Sequence, residues 1–339
     1  SFRAEKMAHG TASTSVEVMD DYVRVCTLDR SQIPIVFHSL LRITLFTDRE
    51  RFLSVTVSSS DVTLVAAPED LAHFDGLGLQ QDGTDWRVVR VGEGAEGFEK
   101  VGVIERITGP LAAASIPVLY VSTFSSDYVL IPSDRLDEAL GLFGHAAAPA
   151  AEHAPSSSEP DREPVEPEAS VEAIRHSHPV FVLPARTRIL QIERRHRHAH
   201  TSALIRLLFM PAQGDDPQPI ASLTETPDEL SILAGESEWL SEHCRAAEGI
   251  HDDPQLWVPL RVGDVDGTPL EEIGVIATQA NVLAKASVTL LYLSTYFSDY
   301  TLILAEAVES AVGAFEAHGF TVTQPRAGEE EATEAEPRR

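Results

Sequence analysis

Cysteine is scarce in this sequence, which has Cys26 and Cys244 among its 339 residues, far apart and outside any CxxC spacing. A disulfide framework and a cysteine-rich zinc site are therefore not supported, and we expect two buried or idle thiols in a reducing compartment. Basic residues are also few: 26 Lys and Arg stand against 53 Asp and Glu. Because phosphate binding needs clustered basic side chains, this balance disfavours nucleic acid and anionic membranes as partners.

Long apolar runs are absent as well. No stretch approaches the roughly 20 residues that cross a bilayer, and the first 15 residues lack the apolar core of a secretory signal. We therefore expect a soluble, cytoplasmic protein. A hydrophobic content of 43% is nevertheless enough to build about two domains with their own cores.

One short stretch occurs twice, as S-T-F-S-S-D-Y at residues 122–128 and as S-T-Y-F-S-D-Y at residues 294–300. We call these the first and second signatures. Each one lies between two apolar runs, a pattern that predicts two strands joined by a polar turn at the end of a sheet. The same offset of 172 residues relates Gly102 to Gly274, which indicates an internal duplication. We expect the two turns to face each other and to hold a small molecule.

Hydrophobic periodicity gives the order of elements in the first half. Alternating residues predict strands at residues 22–28, 53–57, 62–65 and 86–91, with a helix starting near Ser31. A second helix should pass through residues 104–111, and Pro110 is expected to kink or interrupt it. Ser133 is expected to N-cap the last helix of this half.

Composition divides the chain into five parts. Residues 145–178 consist mainly of Ala, Pro, Glu and Ser and should form a linker, because they offer too little apolar surface to offset the entropy of ordering. The predicted parts are a disordered leader at 1–18, a first domain pair at 19–144, the disordered linker at 145–178, a second pair at 179–322 and a disordered acidic tail at 323–339.

The sequence offers little that could support catalysis. The glycines at 92, 94 and 97 lack the lysine of a phosphate-binding loop, so a lid over a pocket or a surface loop is favoured over phosphate binding. His196, His198 and His200 would share one face of a strand and could bind a metal ion, but the neighbouring arginines favour a solvated loop before a helix. We therefore predict no catalytic residue, no metal ion and no cofactor.

Asp127 and Asp299 are the residues singled out by the repeated signatures. Each aspartate could cap the turn between its two strands. Alternatively, at least one of them could face a pocket and accept charged hydrogen bonds from a cationic ligand. Recurrence in both halves fits either interpretation.

The sequences of the two halves resemble those of the CASTOR family of cytosolic arginine sensors. The similar strings are G-P-L-A-A-A-S-I at 109–116 before Y-V-S-T-F at 120–124, and S-L-T-E-T-P at 222–227 before L-S-T-Y at 293–296. The resemblance implies an α+β fold of four ACT modules, each ferredoxin-like (βαββαβ), in two duplicated halves with pseudo-two-fold packing. Residues 20–144 resemble the carboxy-terminal half of the animal proteins and 180–320 the amino-terminal half, so the halves stand in permuted order.

The resemblance also implies site residues, because the family binds arginine between its second and fourth modules. Carried over by motif, the ligand site comprises Gly97, Phe98, Lys100, Gly102, Thr123, Phe124 and Asp127 of the first half, with Thr289 and Leu290 of the second. Thr289 replaces a serine and keeps its hydroxyl. Lys100 replaces a glutamate and should repel a guanidinium group.

A protein partner is implied in the same way. Family members use the surface near the second signature to bind the GATOR complex of the mTOR pathway, and they form homodimers. The matching residues here are Tyr296, Phe297 and Asp299, with Phe297 in place of a polar residue.

We therefore expect a sensor without catalysis that binds an amino acid, arginine first, and regulates a protein partner in nutrient signalling. One alternative is an ACT-type regulatory subunit of an amino-acid biosynthetic enzyme, such as an aspartokinase-like system. Another is a structural adaptor with an empty pocket.

Overall fold

A computed structural model describes residues 15–47, 49–92, 101–145, 167–210, 220–263, 270 and 272–325. The strands of the first half are β1 (Val16–Asp29), β2 (Leu53–Ser58), β3 (Asp61–Ala66), β4 (Gln80–Gln81), β5 (Trp86–Val91), β6 (Leu119–Ser122) and β7 (Asp127–Pro132). Its helices are α1 (Ile33–Leu45), α2 (Pro68–Leu71), α3 (Val103–Ala113) and α4 (Leu136–His145).

The second half repeats this order, except that two strands, β8 and β9, take the place of the long β1, and that α5 and β16 have no counterpart in the first half. Its strands are β8 (Val180–Val182), β9 (Thr187–Ile192), β10 (Ile220–Glu225), β11 (Leu230–Gly235), β12 (Ile250–Asp252), β13 (Trp257–Val262), β14 (Leu290–Ser294), β15 (Asp299–Leu304) and β16 (Val322–Thr323). Its helices are α5 (Pro167–Ser177), α6 (Thr201–Phe209), α7 (Glu238–Ala246), α8 (Val275–Lys285) and α9 (Val308–Ala317).

The strands of both halves join in one continuous sheet that closes on itself. Twelve of them form a ring in the order β9, β11, β10, β2, β3, β1, β5, β7, β6, β14, β15, β13 and back to β9. Closure occurs where Trp257 of β13 pairs with Thr187 of β9. The fold is thus α+β, with the helices packed against a single barrel-like sheet.

The halves are joined by two pairs of neighbouring strands, and we call these two junctions seams. Hydroxyl groups line both seams. At the seam between β2 and β10, Ser54 and Thr56 meet Thr224 and Ser222 with Oγ–Oγ distances of 3.0 and 2.9 Å. At the seam between β6 and β14, the serine of each signature accepts a backbone hydrogen bond from the other half. The Tyr120 amide donates to Ser294 Oγ at 3.1 Å and the Tyr292 amide to Ser122 Oγ at 3.0 Å.

Helix packing follows the same pairing. Helix α3 of the first half lies against α8 of the second. Helices α1 and α6 meet through the rings of Phe37 and Phe209, whose centroids are 5.8 Å apart. As the apolar spacing predicted, Ile104, Ile107 and Leu111 are buried on α3.

Two predictions about the first half need correction. Helix α3 runs through Pro110 rather than ending there, and the carbonyl that the proline leaves without a helical donor belongs to Arg106, an exposed residue. Ser133 does not cap α4; its hydroxyl donates to the Asp85 carbonyl at 2.8 Å.

The predicted boundaries of disorder also need correction. Strand β1 begins at Val16, inside the predicted leader, and Thr323 of the predicted tail lies in β16, which pairs with β8. Helix α5 occupies part of the predicted linker. It is held by Ile174, which is 6% exposed and packs in the same core as Val275 of α8.

Residues 194–200 form a 3₁₀ helix rather than a solvated loop. Arg197 and His200 are buried there, and Arg197 pairs with Glu225. Within the described ranges, no group of three or more His, Cys, Asp or Glu side chains could hold a metal ion. Both cysteines are buried, as expected. No helix in the same ranges is long and apolar enough to cross a membrane.

A buried ionic cluster ties the halves together near the β2–β10 seam. Arg51 is fully buried, donates to Asp70 Oδ1 at 2.5 Å and lies 3.9 Å from Glu225 Oε2 of the second half. Arg194 Nη2 lies 3.3 Å from the other oxygen of Glu225, which Arg197 also contacts. Burial raises the pKa of Glu225, and the surrounding guanidinium groups oppose that shift.

Replacing Glu225 with alanine should remove the central anion of the cluster, which leaves the buried Arg197 without its counter-charge and Arg51 with Asp70 alone. We expect a loss of about 3–5 kcal/mol in the free energy of unfolding, measured by urea denaturation. Glu242→Ala, at an exposed position of α7, is the matched control and should change stability by less than about 0.5 kcal/mol. Equal effects of the two substitutions would contradict the role of the cluster.

Candidate functional site

Both signatures lie at the β6–β14 seam. In each half the signature ends one strand, turns, and begins the next, so that Ser122 pairs with Asp127 across β6 and β7, and Ser294 pairs with Asp299 across β14 and β15. Since β6 and β14 are neighbours and antiparallel, the two turns lie toward opposite ends of the seam. Each turn therefore lies beside the start of the other half's strand rather than directly opposite the other turn.

Threonine, not aspartate, closes each turn. Thr123 Oγ1 and its amide both bond to the Ser126 carbonyl, at 2.7 and 2.8 Å. Thr295 bonds to the Ser298 carbonyl in the same way, at 2.6 and 2.9 Å. The turns are thus closed by threonine, while the carboxyl groups of Asp127 and Asp299 lie beside hydroxyl groups of the adjoining strands.

Each turn is also held by the opposite half. The Phe124 amide donates to Ser231 Oγ at 3.0 Å, and the Tyr296 amide donates to Thr63 Oγ1 at 3.0 Å. The single proton of the Thr123 hydroxyl is shared between the Ser126 carbonyl and a carboxyl oxygen of Glu229, whose side chain is buried. Because the amide and hydroxyl of Thr123 are both engaged, neither is free for a ligand.

The two signature aspartates are half-buried carboxylates without a basic partner of their own in the described part of the chain. Burial raises the pKa of Asp127 to about 6, although the nearby hydroxyls of Ser122 and Tyr120 act in the opposite direction. Burial likewise raises the pKa of Asp299 to about 6, opposed by the hydroxyls of Ser294 and Tyr292. Such a carboxylate would gain from a cation placed beside it.

The remaining predicted ligand residues fall in two groups. Gly102 is the N-cap of α3, in a left-handed conformation with φ of 81° that favours glycine. Leu290 begins β14 and packs on the core that contains Tyr120 and Ile104 of the first half, and Thr289 precedes it. Gly97, Phe98 and Lys100 lie outside the described residues.

The residues predicted to bind a protein partner sit on the outer part of the second signature. Phe297 is 37% exposed, and its ring meets that of Tyr296 edge to face with centroids 5.0 Å apart. Tyr296 and Asp299 are both half-buried, so Phe297 is the most exposed of the three.

Sequence reasoning missed several polar residues around the signatures. Glu229 and Ser231, which hold the first turn, come from a segment remote in sequence and carry no motif. Glu272 lies near Asp299, and its position follows from Lys100 by the offset of 172 residues. That offset was the signal that could have identified it.

Comparison with known proteins places the signatures in a recognised kind of domain. Residues 83–142 and 254–317 match the ACT domain family. The first segment spans β5 to α4 with the first signature, and the second spans β13 to α9 with the second signature. Both segments are therefore similar to ACT domains, and each contains one of the two signatures.

Comparison with individual proteins gives a more specific resemblance. The chain is 30% identical over 146 residues to the human cytosolic arginine sensor for mTORC1 subunit 1, covering 38% of this chain and 44% of that protein. The mouse protein of the same name is 28% identical over 149 residues, covering 39% and 45%. The resemblance to the cytosolic arginine sensors is thus confirmed, although the chain spans less than half the length of these relatives.

Solved structures give weaker likenesses. Aspartate kinase from Synechocystis has a TM-score of 0.33 and 12% identity, covering 92% of this chain and 57% of that chain. The regulatory subunit of aspartate kinase from Thermus thermophilus has a TM-score of 0.29 and 13% identity, covering 39% and 97%. At these scores neither bears on function.

The raised pKa of Asp127 makes a prediction about stability. A carboxyl group with a higher pKa in the folded state than its ordinary 3.8 stabilises the fold when protonated, and that contribution is lost as the pH rises through about 6. The asparagine variant Asp127→Asn should therefore gain stability relative to wild type between pH 4 and pH 7. Urea unfolding at a series of pH values measures this difference. Asp134→Asn, at an exposed position, should show no such trend; a flat difference for Asp127→Asn would contradict the assignment.

Proposed function

We propose that this protein is a non-catalytic amino-acid sensor that binds its ligand, arginine first, between the two halves at the first signature. The observation that carries the proposal is the half-buried Asp127 carboxylate, which lies in a matched ACT segment at the seam between the halves. The relatives named as arginine sensors support the choice of ligand.

The ligand would be enclosed from both sides. Asp127 supplies a carboxylate for a cationic side chain, while Thr289 and Leu290 approach from the other half. Gly97, Phe98, Lys100, Gly102, Thr123 and Phe124 complete the proposed site. Since Thr123 uses its own amide and hydroxyl in the turn, its contribution would be to fix the position of Asp127 and Phe124.

The architecture that we propose for sensing is four ACT modules with pseudo-two-fold packing. The reciprocal hydrogen bonds of Ser122 and Ser294 support it, because they repeat with an offset of 172 residues. A ligand that contacts both halves at a seam would stabilise one arrangement of the halves over others, and a partner that prefers one arrangement would respond to it.

The proposed partner surface is formed by Tyr296, Phe297 and Asp299. The exposed ring of Phe297 is suited to a protein contact, because aromatic residues are enriched at the centres of interfaces. By analogy with the relatives, the partner would belong to cytoplasmic mTOR signalling as a GATOR-type complex, and the sensor would be a homodimer.

Binding of L-arginine to the full chain is the direct test. Isothermal titration calorimetry should detect binding in wild type, and Asp127→Asn should weaken it at least tenfold, because a charge-assisted hydrogen bond contributes roughly 1.5–3 kcal/mol. Asp134→Asn is the control and should bind as wild type does. Lys100→Glu, which introduces the residue of the arginine-sensor family at this position, should tighten binding of a cation.

The specificity of binding decides between the candidate functions. Lysine, leucine and aspartate should bind less tightly than arginine. Tighter binding of aspartate would contradict the ligand assignment. No binding of any amino acid would contradict sensing and favour an adaptor, and co-purification with an amino-acid kinase would favour a regulatory subunit.

The pH dependence of binding gives a separate prediction. A cation interacts with the ionised form of Asp127, whose pKa without ligand is raised to about 6. Arginine should therefore bind more weakly at pH 5 than at pH 7.5, and binding at the lower pH should release protons. Calorimetry in two buffers of different ionisation enthalpy measures the proton release. In Asp127→Asn, any residual affinity should not follow this pH dependence.

A further inference from the structure

The hairpin between β10 and β11 holds the first signature turn from the opposite half. Ser231 Oγ accepts the Phe124 amide at 3.0 Å. One carboxyl oxygen of Glu229 shares the proton of the Thr123 hydroxyl and accepts the Ser125 amide at 3.3 Å. Because Glu229 is 1% exposed, water does not compete for these donors. The turn that leads into β7 is thus fixed by groups that lie far from it in sequence.

An ion pair connects the same hairpin to the same turn. Arg90 Nη1 donates to Asp228 Oδ2 at 2.7 Å, and Arg90 Nε donates to Ser126 Oγ at 3.1 Å. The Asp228 side chain is 62% exposed, so this pair should contribute little. The buried carboxyl group of Glu229 is therefore the stronger of the two connections.

The equivalent hairpin of the first half lies between β2 and β3. An offset of 168 residues relates the hydroxyl residues of β2 at the seam to those of β10. The same offset relates Thr63 to Ser231 and Asp61 to Glu229. Thr63 accepts the Tyr296 amide of the second turn, so the contact of Ser231 is repeated in this half.

The contact of Glu229 is not repeated. Asp61 has a side chain one methylene shorter and is used within its own hairpin. Its oxygens accept hydroxyl groups of the same half, which belong to Ser58, Ser60 and Thr63. Among the described residues, no carboxyl group of the first half accepts a hydrogen bond from Thr295, the counterpart of Thr123. Within these ranges, the first turn alone is held by a buried carboxyl group of the opposite half.

We propose that Glu229 is a positioning residue of the ligand site at the first signature, where it holds the turn so that Asp127 and Phe124 keep their binding positions. This inference rests on the proposed function, since it assigns Glu229 to the same site. The duplicated second turn lacks this contact, so the first turn is the pre-organised one of the pair. Pre-organisation favours binding because the ligand does not have to order the turn.

The length of the side chain, rather than its charge, should determine this role. Burial raises the pKa of Glu229, and the hydrogen bonds from Thr123 and Ser125 oppose that shift. A protonated carboxyl group still offers one acceptor oxygen to the same donors. The other oxygen of Glu229 has no hydrogen-bond partner in the described part of the chain. Glutamine, which has the same length and one acceptor oxygen, should therefore replace Glu229 without breaking a hydrogen bond.

Three substitutions of Glu229 in the full chain test the proposal, with L-arginine as the probe in calorimetry. Glu229→Ala and Glu229→Asp should weaken binding at least about tenfold, because neither side chain reaches the turn, whereas Glu229→Gln should stay within about threefold of wild type. Hydrogen–deuterium exchange without ligand should be faster at residues 122–128 in the alanine and aspartate variants alone. Residues 294–300 are the internal control, and Glu242→Ala, exposed on α7, is the control substitution.

The outcomes separate this inference from the proposed function. Faster exchange and weaker binding in the alanine and aspartate variants, both restored in Glu229→Gln, support it. Equal loss of binding in all three variants overturns it, because charge rather than position would then matter. Unchanged binding, or unchanged exchange at residues 122–128, in Glu229→Asp overturns it as well, and this comparison stands even where Glu229→Ala does not fold. If wild type binds no arginine, the proposed function fails, and the exchange alone decides whether Glu229 holds the turn.

Discussion

The pairing of strand edges between the halves is the constraint on which this structure depends. A sheet edge exposes unpaired amide and carbonyl groups, and the first half alone would expose two such edges, at β2 and β6. The second half covers them with β10 and β14, and the ring of twelve strands results. The candidate sites exist because the signatures end the strands that form one of these seams.

Hydroxyl-bearing side chains determine which residues pair with each other across the seams. Ser54, Thr56, Ser222 and Thr224 are buried and meet one another, so each satisfies a partner that would otherwise lose its hydrogen bond on leaving water. A shift of one residue in this pairing would place apolar side chains where these hydroxyls lie. The seams thus fix the register of the halves, and with it the position of Asp127 relative to Leu290.

Local elements could be predicted from the sequence because their signals are local. The alternating residues at 86–91 and the spacing of Ile104, Ile107 and Leu111 correspond to β5 and α3 as observed. The fixed offset of the signatures indicated a duplication, and one segment in each half matches the ACT domain family. The closure of the ring could not be predicted, since an amphipathic strand does not specify which neighbour will pair with its edge.

Features that depend on distant residues were missed for a physical reason. The ionic cluster unites Arg51, Asp70, Glu225 and Arg197 from four separate segments, none of which differs in sequence from an ordinary solvated surface. Among residues 172–177 of α5, whose side chains the structure describes, Ile174 is the buried one, a signal too weak to be separated from the surrounding polar composition. At the first site, Glu229 supports Thr123 from the other half, and no pattern near either residue indicates that contact.

Anchoring of α5 by Ile174 has a consequence for assembly. Helix α5 is fixed to the second half at this point, close to Gly274, and the 21 residues 146–166 join its start to the end of α4 in the first half. A covalent tether turns their meeting into an intramolecular event with an effective concentration of order millimolar for short flexible links. Halves supplied as two separate polypeptides would have to reach comparable concentrations in free solution to remain associated to the same degree.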